Sequence, residues 1–178
     1  MLTSKRDYIL RIIDEVGELL SRVVFQRSKN RPEDAMQSVV QAGERLFNLE
    51  ADKLFQFTPD QQYAMLTEHE APEIAEQKVL LFAALNAEAG KIYTTMGDPR
   101  MARSCLINAL RFTLKAQAAF PSENPPAYAP KVADLLAALK DAPLDADTAA
   151  LVSAERPRPN IPLRQGYGGQ VEHPTSNG

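Results

Sequence analysis

Cysteine, tryptophan and long apolar runs are almost absent from this chain of 178 residues. It contains one cysteine, Cys105, and no tryptophan. A single cysteine excludes an intramolecular disulfide framework. No stretch reaches the roughly 18 apolar residues that a membrane-spanning helix needs, and the first seven residues lack the apolar core of a secretory signal. The sequence therefore predicts a protein of the reducing cytoplasm.

Histidine is equally scarce, which limits the catalytic chemistry that the chain can support. His173 lies in a proline- and glycine-rich C-terminal stretch, so a catalytic dyad would have to use His69. His69 stands between Glu68 and Glu70, with Glu73 one turn further. These side chains could hold one divalent ion, but a protein metal site usually takes three or four ligands. We favour an acidic, exposed connection between helices, keep a metal site at His69 as an alternative, and expect no catalytic residue and no cofactor.

The first predicted helix, from about Ser4 to Phe25, carries a wide apolar stripe. Its apolar side chains recur at intervals of three and four residues: Ile9, Ile12, Ile13, Val16, Leu19, Leu20, Val23 and Val24. This spacing is typical of an amphipathic helix. Such a stripe can pack in the core, pair with a second copy of the chain, or lie on a membrane surface. We favour the core and keep a homodimer through this helix as an alternative.

The same periodicity, together with start and stop signals, predicts further helices along the chain. Proline at a first helical position and Thr58 as an N-cap mark several of the starts. The predicted helices cover about 32–47, 58–67, 72–96, 99–119, 128–140 and 147–153. Between two of them, Leu54, Phe55 and Phe57 are expected to fill a gap. The sequence thus predicts one all-α domain of six or seven helices over residues 1–155, followed by a disordered, proline- and glycine-rich tail over residues 156–178.

Residues 83–118 carry the turn chemistry of a helical hairpin. Gly90 has no side chain midway along the first helix, where a second helix can approach closely, and Tyr93 would fill the space beside that contact. Gly97 suits the left-handed position that ends a helix, and Asp98 and Pro99 suit the start of the next one. The second helix then carries a face of small and apolar side chains: Ala102, Leu106 and Ala109.

These positions resemble one tetratricopeptide repeat, in which glycine and tyrosine of a first helix precede alanine and a large apolar residue of a second. The resemblance covers about a fifth of the chain and departs from the pattern at Asn86, Ala89 and Leu106. It implies an array of antiparallel helical hairpins. Residues 7–13 also resemble the start of a small bacterial helical family of unknown function, which implies no activity.

Tetratricopeptide repeats present a concave surface lined by their first helices, so the resemblance implies a scaffold or adaptor role in protein–protein interaction. By resemblance, four residues would line the groove: Ala84, Ala87, Lys91 and Thr94. They predict a shallow groove and lack the lysine and asparagine pattern with which some repeats bind a peptide carboxylate. A non-catalytic interaction module is the predicted function. The alternatives are a self-associating structural protein and a small metal-binding protein that uses His69.

Charge is distributed unevenly along the chain, although the net charge is only −3. Residues 32–90 carry 11 acidic and 3 basic side chains, whereas residues 91–121 carry 5 basic and 1 acidic side chain. Four of these cations fall within about 120° of arc on a helix and define a candidate basic face: Arg100, Arg103, Arg111 and Lys115. This face can bind an acidic partner, or its cations can form ion pairs within the molecule, for example with the acidic helix over residues 72–96. We favour intramolecular ion pairs or a simply solvated face. Double-stranded nucleic acid normally requires a more basic chain, so we do not expect it as a partner.

Overall fold

Helices account for the regular structure in the described part of this chain. The computed structural model describes residues 2–140 and 142–155, which form eight helices and no strand. The all-α prediction is confirmed. The prediction of six or seven helices did not include a four-residue helix over residues 51–54. The predicted disordered tail, 156–178, lies outside the described residues. The helices are α1 (Leu2–Ser28), α2 (Pro32–Phe47), α3 (Ala51–Leu54), α4 (Pro59–Thr67), α5 (Pro72–Thr95), α6 (Pro99–Ala119), α7 (Val132–Leu139) and α8 (Ala146–Glu155).

The starts of several helices follow from proline and N-capping side chains. Proline occupies the first position of α2, α4, α5 and α6, where its missing N–H costs no helical hydrogen bond. At α4, the Thr58 hydroxyl accepts from the Gln61 N–H and the Gln61 side chain accepts from the Thr58 N–H, which is a reciprocal capping box. At α6, the Asp98 carboxylate accepts a 3.0 Å bond from the Met101 N–H. These starts could be predicted because each depends on only four consecutive residues.

The apolar stripe of α1 packs inside the chain. Its central residues are buried: Ile13, Val16, Leu19, Leu20 and Val23. α1 contacts α2 and α5, while charged side chains such as Arg11, Glu18 and Arg22 are exposed. The stripe therefore lies in the core, apart from Val24, which is 41% exposed. A homodimer through the same residues would require α1 to leave this arrangement, so the fold gives that alternative no support.

α5 is the central helix of the fold. It contacts α1, α2, α4 and α6, and side chains around most of its circumference are buried, among them Val79, Leu81 and Leu85. The Phe82 ring lies edge-on to two others, with its centroid 4.8 Å from that of Phe47 in α2 and 4.9 Å from that of Phe112 in α6. Edge-to-face pairs add stability beyond the area they bury. α5 consequently connects the N-terminal helices with α6.

The turn between α5 and α6 has the geometry that its sequence predicts. Gly97 has a φ of 78°, a left-handed conformation that glycine adopts without strain. The Asp98 N–H donates a 2.9 Å bond to the Tyr93 carbonyl, and the Gly97 N–H donates a 3.2 Å bond to the Thr94 carbonyl. This pair of bonds is the Schellman motif that satisfies the last carbonyls of a helix.

The two helices of this hairpin come closest at Gly90. A Cβ at that position would lie 2.7 Å from Leu106 Cγ and 3.3 Å from the Ala102 carbonyl oxygen. Ala102, Leu106 and Ala109 are all buried. The close contact therefore falls at the residues that carry the tetratricopeptide resemblance.

The C-terminal helices form a second small core against α6. Leu135 and Leu139 of α7 pack with Leu106, Leu110 and Leu114 of α6, and two residues of α8 cover the edge of this cluster: Leu151 and Val152. The connection from α6 to α7 also reaches the main core, since its residues Tyr128 and Ala129 pack there.

α7 begins at Val132, so the predicted start at Tyr128 was wrong. Pro130 explains the difference, because a proline disfavours the helical conformation of the residue before it. The Ala129 N–H instead donates a 2.9 Å bond to the Pro126 carbonyl, which closes a turn. Residues 127–131 therefore cross the surface as an ordered connection.

The aromatic residues after α2 also differ from the prediction. Leu54 is buried and fills a gap beside α2, whereas Phe55 is 77% exposed and Phe57 is 38% exposed. Residues 51–54 form the short helix α3, which turns Leu54 inward and places the next side chain outside. The expectation that Phe55 and Phe57 fill a gap between helices was wrong, and Leu54 alone of the three residues is buried.

Candidate functional site

The four residues predicted to line a peptide groove all border one open cleft. Ala84, Ala87, Lys91 and Thr94 lie along α5 and line a cleft of about 680 Å³. α1, α6, α7 and the connection before α7 contribute the rest of its lining. The prediction named residues of α5 alone, and that they bind a partner stays a prediction.

The floor of this α5–α7 cleft is small and apolar, and its rim is longer and polar. Ala84 and Ala87 are buried, so they form the floor. Lys91 and Thr94 are exposed and stand at the rim. A bound molecule would therefore contact alanine methyl groups below and an ammonium and a hydroxyl group at the edge.

The far wall of the cleft comes from the connection that crosses the surface. Tyr128 and Pro130 line it together with Leu135 and Ala138 of α7. Burial, with a further contribution from the Glu76 carboxylate, raises the pKa of Tyr128 to about 12. The phenol therefore stays neutral at physiological pH and adds an aromatic face to a mainly apolar wall.

A buried carboxylate that the sequence analysis missed lies at one edge of the cleft. The Glu88 side chain is only 10% exposed, and its oxygens accept bonds from Arg27 Nε and, at 2.9 Å, from Lys91 Nζ. Lys91 is three residues from Glu88, a spacing that brings helical side chains together. Arg27 stands 61 residues away, and no local pattern connects the two. Two cations thus meet one anion here, so this edge carries excess positive charge.

A smaller cavity continues the cleft beyond Thr94. This cavity of about 400 Å³ shares Thr94, Leu106 and Ala138 with the cleft, and Arg103 lines it. Arg103 belongs to the candidate basic face and is exposed. The structure therefore brings one residue of the predicted basic face to the end of the predicted groove.

The other residues of the basic face are divided between ion pairs and solvent. Arg111 Nη2 lies 2.9 Å from Asp145 Oδ2, and Lys115 pairs with Asp60 of α4. The hydrogen bond from Lys115 lowers the pKa of Asp60. In the part of the chain that the structure describes, neither Arg100 nor Arg103 has an ion-pair partner. The two acidic partners are Asp60 in α4 and Asp145 directly before α8, whereas the acidic α5 was the partner that the sequence suggested.

The connection at His69 is not arranged as a metal centre. His69 lies between α4 and α5 with a φ of 60°, and Glu70 Oε1 beside it lies 3.2 Å from Lys78 Nζ. In the part of the chain that the structure describes, no group of three histidine, cysteine, aspartate or glutamate side chains could hold a metal ion. The metal-binding alternative has no support at this position.

The described helices and the sequence were also compared with known proteins. Within the described ranges, no helix combines the length and apolar character needed to cross a membrane. Searches against protein-family models, curated proteins and solved structures find no match to this chain. Function can therefore be inferred only from the chemistry of the surfaces themselves.

Proposed function

We propose that the protein is a non-catalytic interaction module that binds an extended segment of a partner protein in the α5–α7 cleft. The observation that carries the proposal is the continuous surface formed by the cleft of about 680 Å³ and its extension of about 400 Å³. Ligand clefts in proteins commonly enclose about 300 to 1,000 Å³. From Ala84 to Gly97 the surface follows α5 for about 20 Å, which corresponds to about six residues of extended chain.

The lining indicates which segment would fit. Side chains of small or medium size would lie against Ala84 and Ala87, and an aromatic or proline residue would find Tyr128 and Pro130 on the far wall. At the other end, Lys91 and Arg103 favour an acidic group. The partner segment is therefore apolar with a carboxylate near one end.

A non-catalytic role is supported by where the reactive side chains lie. Neither Cys105 nor His69 lines the cleft within the described residues. Burial raises the pKa of Cys105 to about 11, which keeps its thiol protonated and poorly nucleophilic. Binding through the cleft needs no such group.

We further propose that the α5–α6 hairpin is tetratricopeptide-like and that the protein acts in a bacterial cytoplasm. The close contact at Gly90 and the left-handed Gly97 support the first part. The cytoplasmic location is supported by a single, half-buried cysteine that needs no oxidising compartment.

The test begins with a random-peptide library of seven residues selected on the immobilised wild-type protein. A selected peptide with an acidic end is then titrated by calorimetry against Thr94→Glu and Thr95→Glu. Both threonines are exposed, and each hydroxyl donates to the carbonyl four residues earlier. Only Thr94 lines the cleft. We expect Thr94→Glu, which adds bulk and repels the peptide carboxylate, to weaken binding about tenfold or more, and Thr95→Glu to bind as the wild type does.

The acidic end of the segment is tested with a second matched pair. Arg100 and Arg103 are both exposed arginines of α6, but only Arg103 lines the cavity that extends the cleft. Arg103→Glu should weaken binding of an acidic peptide about threefold to tenfold, and Arg100→Glu should not. Equal affinities for all four variants, or equal losses, would place the peptide elsewhere and overturn the proposal.

A further inference from the structure

A second groove follows another side of α5, between α2 and α6. Six of its lining residues define what we call the methionine groove: Met36, Val40, Phe55, Met96, Met101 and Cys105. α5 forms its floor from Phe82 to Tyr93, and α2 with α3 and α6 form its walls. Its deepest part encloses about 200 Å³. No residue of the α5–α7 cleft lines it.

The methionine groove keeps several large apolar side chains in contact with solvent. Phe55 is 77% exposed, Met96 46%, Met101 40% and Val40 37%. Contiguous apolar surface of this kind marks interaction sites in soluble proteins. Methionine is unbranched and polarisable, and it adapts to the shape of a bound helix. The groove therefore has the composition of a surface that another apolar surface covers.

The shape of the groove fits a helix. From Phe82 to Tyr93 the floor is about 16 Å long, which equals three helical turns. Its residues are small where a backbone would approach: a Cβ on Gly43 would meet only Leu54 Cδ2, at 3.9 Å, and Ala89 lies on the floor. A helix laid along α5 would contact α2 on one side and α6 on the other.

The charges on the groove are acidic. Glu33 and Glu44 line it at the two ends of one α2 stripe that also contains Met36 and Val40. They are about 16 Å apart along the helix axis. Among the described residues that line the groove, none is lysine, arginine or histidine. Cationic groups near both ends of a bound helix would therefore find an anion.

We propose that the methionine groove binds a basic amphipathic helix of a partner protein. One large apolar side chain of this helix enters the 200 Å³ pocket. Other apolar side chains of the helix, at intervals of three and four residues, cover Val40 and Met96. Its cationic side chains, about 11 residues apart, pair with Glu33 and Glu44. This site is separate from the α5–α7 cleft, so a partner can occupy each.

The probe is a synthetic 16-residue helix of leucine and lysine, with leucine on one face and a fluorophore at its end. Controls are a scrambled peptide of the same composition and a leucine–glutamate helix. We expect fluorescence anisotropy to report binding of the leucine–lysine helix alone. Cys105 lines the groove, so bound helix should slow its reaction with N-ethylmaleimide at least threefold.

Matched variants locate the binding. Glu33 and Glu73 are both exposed and both follow the first-position proline of a helix, yet only Glu33 lines the groove. Glu33→Lys should weaken binding about threefold to tenfold, and Glu73→Lys should leave it unchanged. Phe55→Ala should weaken it about tenfold, whereas removal of the exposed Phe25 ring in Phe25→Ala should not.

Four results would overturn the proposal. In the first, the leucine–glutamate or the scrambled peptide binds as well as the leucine–lysine helix. In the second, Glu33→Lys and Glu73→Lys have equal effects, and in the third, bound helix does not protect Cys105. In the fourth, light scattering gives a dimeric mass that Phe55→Ala abolishes. The last result would assign the groove to a second copy of this chain. Thr94→Glu should bind the helix normally, which separates this test from that of the α5–α7 cleft.

Discussion

Leu106 of α6 lies directly over Gly90 of α5, so closely that a Cβ on Gly90 would come within 2.7 Å of Leu106 Cγ. The glycine therefore sets how near the two helices approach. Replacing it with alanine would force Leu106 or the helix backbone to shift, and the Ala102 carbonyl at 3.3 Å limits that shift. We expect Gly90→Ala to lower the free energy of unfolding by about 1 to 3 kcal/mol, measured by urea denaturation.

Gly17 is the control for that substitution. It lies within α1, and a Cβ there would meet nothing within 4 Å. Because alanine is the better helix former, Gly17→Ala should raise the free energy of unfolding by about 0.5 to 1 kcal/mol. If both substitutions were stabilising, the close contact at Gly90 would not exist in solution.

The bridge between Arg27 and Glu88 should matter more to stability than the bridge between Lys91 and Glu88. The Glu88 side chain is 10% exposed, that of Arg27 30% and that of Lys91 53%. Arg27→Ala would leave a mostly buried carboxylate with one partner at the solvent edge. We expect it to lower the free energy of unfolding by about 1 to 2 kcal/mol, and Lys91→Ala by less than about 0.5 kcal/mol.

A double substitution checks the cause. Glu88→Gln removes the charge that Arg27 balances, so Arg27→Ala should be much less damaging in the Glu88→Gln protein than in the wild type. Thermal denaturation of the four proteins gives the coupling between the two residues. Additive effects would mean that the contact contributes nothing.

Asp145 should make stability depend on pH below about 4. Burial alone would raise the pKa of this carboxyl, but hydrogen bonds from the Thr148 N–H and hydroxyl, and the Arg111 guanidinium, lower it from 3.8 to about 2. A carboxyl whose pKa is lower in the folded state stabilises the fold above its unfolded pKa, and that contribution is lost as the pH falls from about 4 to about 2. The melting temperature should therefore decline through this range.

Asp145→Asn isolates that charge, because asparagine can still accept the bond from the Thr148 N–H. The melting temperature of this variant should be lower than that of the wild type at pH 6, and the difference should shrink steadily as the pH falls from 4 to 2.5. A difference that stays constant down to pH 2.5 would show that the charge of Asp145 does not cause it.

Cys105 should react slowly with alkylating reagents in the folded protein. Burial raises the pKa of its thiol from 9.0 to about 11, so at pH 8 only about one thiol in a thousand is ionised. We expect iodoacetamide to react roughly 100-fold more slowly than with the urea-unfolded chain. The rate should rise about tenfold per pH unit between pH 8 and 10. A rate that levels off near pH 9 would contradict a raised pKa.

Local signals account for the parts of the fold that the sequence predicted well. Thr58 and Gln61 form a capping box within four residues, and Gly97 and Asp98 end one helix and start the next within two. Such features depend on backbone groups that are neighbours in the chain. The buried stripe of α1 could also be predicted from the sequence, because helical periodicity places those side chains on one face.

Non-local contacts explain what the sequence did not predict. Phe55 and Leu54 are adjacent apolar residues, and only the packing of α3 against α2 decides that one is buried and the other exposed. The methionine groove likewise joins Met36, Phe55 and Met101 from three helices. No spacing within one helix indicates that these three residues share a surface.

The sequence by itself determined the all-α class, the starts of α2, α4, α5 and α6, and the turn at Gly97. Each of these depends on residues within a few turns of one another. Only the tertiary structure decided that Arg27 would pair with Glu88 and that Tyr128 would form the far wall of the α5–α7 cleft. It also decided that Arg111 and Lys115 would form ion pairs within the molecule, and that Arg103 would line the extension of the cleft. The physical reason is that packing brings together residues far apart in sequence, and local periodicity carries no information about which helices meet.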